Sequence, residues 1–114
     1  MINFACTDFD LDEVIKCVLG LNKSEFRLLR FLAEHEKKFT TEELSNKLNL
    51  DKSTIQRSIK TLHEKELVKR SQINRSIGGY VFLYRLGDKE NIRKTVRETI
   101  DSWAGNFRKK ISVW

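Results

Sequence analysis

The chain has 114 residues, 22 of them Lys or Arg and 16 Asp or Glu, giving a formal charge of +6 at pH 7. That length suits one domain with one core, and 39% hydrophobic with 33% charged residues is a globular rather than a disordered composition. The longest run without a charge is nine residues, Ser76 to Tyr84, which excludes a bilayer-spanning helix; no charged segment precedes an apolar run at 1–7, so the expected address is the cytoplasm.

In chain order, Phe9, Leu11, Val14, Ile15, Val18 and Leu19 recur at helical spacing behind Asp8 or Asp10, predicting a first helix within 8–20 that ends near Gly20. Cys17 lies on that stripe and reads as a small core residue. Cys6 and Cys17 fit no zinc or disulfide-framework spacing, and His35 and His63 are too far apart in sequence to suggest a catalytic or metal site. With no Gly-rich phosphate loop and no nucleophile and base pair, no enzyme, cofactor or metal is expected.

Asn22 with Glu25 makes a capping-box start for a second helix carrying Phe26, Leu28, Leu29, Phe31, Leu32 and Ala33. Thr40 with Glu43 opens a third, short helix with Leu44 and Leu48 inward. Asn49 then suits a left-handed exit, and Asp51 caps a fourth helix, 52–66, with the stripe Ile55, Ile59, Leu62. Two helices joined by about three residues form a helix-turn-helix.

After Leu67 the period becomes alternating. Val68 to Ile73 and Tyr80 to Leu86 read as two strands around a turn-rich loop in which Gly78-Gly79 supplies positive φ. The stripe Tyr80, Phe82, Tyr84, Leu86 reads as the buried face of this hairpin. Gly87-Asp88 then starts a long helix within 88–112. The expected class is mainly α with a small β-hairpin (α+β): one domain over 1–114, its winged-helix core at 22–86 flanked by N- and C-terminal helices.

Leu44, Ser45, Leu48, Asn49, Leu50, Ile55 and Ile59 stand in a demanding order, with a small residue where two helices cross and Leu50 at their corner. This segment resembles the helix-turn-helix of winged-helix transcription regulators, Asn49 standing where that pattern usually has Gly. Ser53 to Leu62 with Lys65 to Arg70 resembles the recognition helix and first wing strand of the MarR and TrmB-like families, and Gly79 to Leu86 their second wing strand. The likeness spans roughly 21–103; Glu66 departs from a common Gly. It implies a DNA-binding transcription regulator whose flanking helices make a dimer.

Charge placement agrees. From Lys52 to Arg85 eight basic residues face only Glu64 and Glu66, a balance of +6, while the flanking segments cancel. Such a concentration is the footprint of a polyanion binder. With Ile55, Ile59 and Leu62 inward, Lys52, Ser53, Gln56, Arg57 and Lys60 lie outward. Gln and Arg can each make two hydrogen bonds to base edges in the major groove, so Gln56 and Arg57, with Ser53 and Thr54 at the helix start, are expected to read bases. Thr41, Lys52, Lys60, Lys69, Arg70 and the wing residue Arg75 are expected on phosphate or minor groove, with alternation letting only one of Lys69 and Arg70 face DNA.

The last helix repeats Ile92, Val96, Ile100, Trp103, Phe107 and Ile111, a stripe longer than such a core requires. With Val14 and Val18 of the first helix it is expected to form a homodimer. The leading expectation is therefore a homodimeric, sequence-specific binder of double-stranded DNA that regulates transcription. A winged-helix protein-interaction module and an architectural DNA binder are the alternatives. Operator, sign of regulation and any small-molecule effector are not legible.

Overall fold

The computed structural model describes residues 9–114; Cys6 and Asp8 lie outside them. Among the described residues five helices and one hairpin follow in the order α1 (Leu11–Val18), α2 (Lys23–Glu34), α3 (Thr41–Leu48), α4 (Lys52–Glu64), β1 (Val68–Asn74), β2 (Tyr80–Leu86) and α5 (Lys89–Ser112). This is the α+β winged helix that the sequence pattern predicts.

Side-chain oxygens set the helix starts, because the first turn of a helix has backbone N–H groups without partners. Asp10 accepts from Asp12 N at 3.0 Å and caps α1. Asn22 and Glu25 close a reciprocal capping box at 2.8 and 2.9 Å, as Thr40 and Glu43 do at 3.1 and 3.0 Å. Asp51 accepts from Thr54 N at 3.2 Å at the head of α4. Asn49 (φ 53°) after α3 and Glu66 (φ 60°) after α4 take the left-handed conformation at helix exits. Glu66 therefore adopts the geometry for which glycine is the least strained residue.

The core lies where α2, α3 and α4 meet the hairpin. Leu28, Leu32, Leu44, Ile55 and Leu62 are fully buried, and Ser58 is buried on the inner face of α4. Ser45 Oγ donates to the Leu50 carbonyl at 2.5 Å, so the small residue at the crossing also ties the turn. The strands pair antiparallel with Val68 opposite Leu86 and Asn74 opposite Tyr80, so β1 extends one residue beyond expectation. Phe39 adds a single bridge to Tyr84 on the other side of β2. Gly87 is buried at the exit of β2, and a Cβ there would stand 3.0 Å from the Leu67 carbonyl oxygen. This close approach lets the chain turn directly into α5.

Three expectations are corrected. Cys17 is exposed: Ile15 of α1 and Leu19 at its C-cap pack on the core, and Cys17 lies off that contact. The stripe on β2 is buried only at its base: Tyr84 is in the core, Phe82 is half-buried and Tyr80 is 59% exposed, since the hairpin projects beyond the helices. The α5 stripe is not one continuous outward face. Ile92 and Val96 pack on the chain's own core beside α1, whose Val14 and Val18 are half-buried, while Ile100, Trp103, Phe107 and Ile111 are exposed.

The molecule is elongated, 68 × 23 × 23 Å with a radius of gyration of 18.1 Å, against about 13 Å for a compact chain of this length. A helix of 24 residues is about 36 Å long. Its second half therefore extends away from the body, with Trp103 and Phe107 stacked at 5.8 Å between ring centroids. Among the described residues no helix is long and apolar enough to cross a membrane.

Candidate nucleic-acid interface

Helix α4 has two chemically distinct sides. Ile55, Ser58, Ile59 and Leu62 are buried, whereas Lys52, Ser53, Gln56, Arg57 and Lys60 are exposed. None of Lys52, Arg57 and Lys60 is in an ion pair among the described residues. Cations held on a rigid helix outside any ion pair are available to an external anion.

A groove of about 340 Å³ runs between this face and the hairpin, and it gathers Thr41, Gln56, Lys60 and Arg70 with Tyr80 along one wall. Four residues predicted from widely separated positions thus line one channel. Arg70 stands with its guanidinium carbon 4.3 Å from the Phe82 ring centroid, a cation–π contact that restricts a long side chain. Tyr80 packs edge-on against Phe82 at 5.2 Å. The alternation of the strand assigns Arg70 to the α4 side and Lys69 to the opposite face, beside its partner Arg85. Of the adjacent pair, only Arg70 shares the groove with α4.

At the head of α4 the predicted base-reading set is divided. Ser53 Oγ donates to Asp51 Oδ2 at 3.2 Å, and Thr54 is half-buried with its backbone N–H on the cap. Hydrogen bonding from Thr54, then from Ser53, together with the charge of Arg57, holds the Asp51 carboxyl below its ordinary value of 3.8. The Ser53 hydroxyl and the Thr54 backbone N–H thus lie on the cap, while Gln56 and Arg57 extend outward.

The wing tip closes through Arg75 N to Gly79 O at 3.0 Å and Gly78 N to Arg75 O at 3.2 Å. Gly78 (φ 94°) and Gly79 (φ 79°) take the positive φ that the turn requires. Arg75 is exposed there. Lys65, counted within the basic segment, is used elsewhere: its ammonium donates to the Leu19 and Gly20 carbonyls at 2.8 Å each, completing the C-terminus of α1. Charge counting along the chain gives no sign of this, because the contact links residues some 45 positions apart.

The arrangement is one exposed polar and cationic helix with a cationic hairpin beside it. A helix of this kind fits the major groove of B-DNA, and a hairpin reaches the flanking backbone. Among the described residues there is no cluster of His, Cys, Asp or Glu able to hold a metal ion.

These features define a winged-helix transcription regulator of MarR-like type. The MarR family model matches residues 19–74, the segment from the end of α1 to the end of β1. A solved structure described as a possible transcriptional regulator from Methanosarcina mazei is 40% identical, covering 100% of this chain and 96% of that one with a TM-score of 0.86. An uncharacterized protein of Methanocaldococcus jannaschii, MJ1503, is 29% identical across 96% of this chain and 82% of its own length. A mutant of S. aureus MepR, solved bound to an oligodeoxyribonucleotide, shares the fold at 16% identity, with 89% of this chain and 71% of that one covered and a TM-score of 0.58.

Proposed function

We propose that the chain is a sequence-specific, double-stranded DNA-binding regulator that acts as a homodimer. Helix α4 enters the major groove, Gln56 and Arg57 read base edges, and Lys52, Lys60, Thr41 and Arg70 hold phosphates. The wing places Arg75 on flanking backbone or minor groove. The observation that carries this reading is the exposed face of α4, polar, basic and without ion pairs, joined to Arg70 across one groove. A protein-interaction surface would be expected to present an apolar or acidic helix face instead. The oligodeoxyribonucleotide held by the MepR mutant adds a precedent on the same fold.

The exposed second half of α5 supports the dimer. Ile100, Trp103, Phe107 and Ile111 form an apolar ridge on a helix standing away from the body, and such a ridge is stable in water when a second copy covers it. Two α4 helices related by a twofold axis would then meet half-sites about 34 Å apart.

Selection of bound duplexes from a random pool, followed by competition between selected and random DNA, tests the proposal. The expected result is a two-fold symmetric motif, with Gln56→Ala and Arg57→Ala each reducing discrimination by about 1–3 kcal/mol at one position per half-site. Equal affinity for selected and random duplex would overturn sequence-specific reading.

A further inference from the structure

The outer face of the hairpin carries a second cationic feature that DNA on α4 does not explain. Lys69 and Arg85 are direct partners across β1 and β2. On the other side of β2, Phe39 and Tyr84 exchange backbone hydrogen bonds at 2.9 and 2.8 Å in antiparallel register, which sets Lys38 beside Arg85. Side chains alternate between the two faces of a sheet. Since Phe39, Tyr84 and Val68 are in the core, Lys38, Arg85 and Lys69 stand in a row on the opposite face.

Like charges placed directly opposite one another destabilise a sheet. None of these three cations is in an ion pair among the described residues. They line an open groove of about 820 Å³ whose other wall is α5, with Asn91 and Lys94, a volume in the range of small-molecule sites. The acids around it offer little neutralisation: Glu98 pairs with Lys94 at 3.9 Å, Asp88 caps α5 by accepting from Glu90 N, and Glu66 lies at the exit of α4. Two strand spacings separate the ends of the row, roughly 10 Å. That span exceeds a single carboxylate or sulfate and suits a string of linked phosphates.

We propose that this groove binds a small oligophosphate, either free inorganic polyphosphate or the phosphate chain of a nucleoside triphosphate. Lys38, Arg85 and Lys69 hold the phosphates, and Asn91 completes the site from α5. Occupation ties the wing to the helix that carries the apolar ridge. The consequence for DNA binding rests on the function proposed above; the binding itself does not.

Titration calorimetry and thermal unfolding of the full chain with sodium tripolyphosphate and with ATP, at fixed ionic strength and with sodium sulfate as control, test the proposal. One saturable site per chain is expected, together with a rise in Tm that sulfate does not reproduce. Equal binding by the two ligands identifies the phosphate chain as the recognised part, and tighter binding of ATP adds a nucleoside contact. Arg85→Gln and Lys69→Gln should each weaken tripolyphosphate by about tenfold or more, whereas Lys47→Gln on α3 leaves it unchanged. Without ligand, Arg85→Gln should melt no lower than the wild type, because it relieves repulsion. Should the hairpin variants fail to fold, Lys38→Gln outside the hairpin carries the same expectation. Absence of saturable binding, an equal response to sulfate, equal loss in Lys47→Gln, or displacement of tripolyphosphate by random duplex would overturn the site. Duplex binding measured on the same preparations separates the two readings: its loss with tripolyphosphate binding intact counts against the DNA reading alone.

Discussion

Replacing Trp103 and Phe107 together by alanine tests whether the ridge on α5 holds two chains together. In the isolated chain Trp103 is 67% and Phe107 53% exposed, and the two rings stack on each other outside the core. Fully burying a large apolar side chain contributes about 1.5–3 kcal/mol, so covering the remaining half to two thirds contributes about 1–2 kcal/mol for each ring. A twofold dimer covers four such rings, about 4–8 kcal/mol in all, which corresponds to a dimer weakened by roughly three to six orders of magnitude. Sedimentation equilibrium from nanomolar to high micromolar protein reads this directly. Circular dichroism should show unchanged helix content, because neither side chain supports the winged-helix core. A wild-type chain that is monomeric throughout, or a double variant that dimerises as tightly as the wild type, would refute the reasoning.

Other outcomes follow from individual contacts. Lys65→Ala should lower stability by about 1 kcal/mol by freeing the Leu19 and Gly20 carbonyls, while leaving the salt dependence of duplex binding unchanged; a reduced salt dependence would place Lys65 on DNA instead. Glu66→Gly should raise the urea midpoint, since glycine relieves about 1 kcal/mol of left-handed strain at φ 60°; a lowered midpoint would mean the Glu66 side chain makes contacts that outweigh the strain. Because hydrogen bonds from Thr54 hold Asp51 below its ordinary 3.8, its contribution is fully present above that value and fades as the pH falls through the lowered one. Acid unfolding of Asp51→Ala should lack that part of the pH dependence, and curves of the same shape for both proteins would contradict the assignment.

Much of the fold was legible because its signals are local. Capping boxes at Asn22/Glu25 and Thr40/Glu43, the cap at Asp51 and the change from helical to alternating period at Leu67 each depend on residues within one turn. The outward face of α4 was legible for the same reason, as the complement of Ile55, Ile59 and Leu62. What the sequence hid depends on tertiary placement. How far Tyr80 emerges is set by the projection of the hairpin, and which half of α5 is free is set by where α1 ends. The capping of α1 by Lys65 and the row formed by Lys38, Arg85 and Lys69 join segments distant in sequence. Ser53 and Thr54 read by position as residues at the head of α4, and the structure adds that the Ser53 hydroxyl and the Thr54 backbone N–H donate to the Asp51 cap.

The central claim is that α4 and the wing neutralise DNA phosphates in a dimer, and the slope of log affinity against log salt concentration on duplex DNA measures it most directly. With on the order of eight phosphates per dimer the slope should be near −7, falling in magnitude by about 2 in Lys60→Ala, which removes one contact from each protomer. A slope near zero, or affinity unchanged in an Arg57→Ala, Lys60→Ala double variant, would contradict the account.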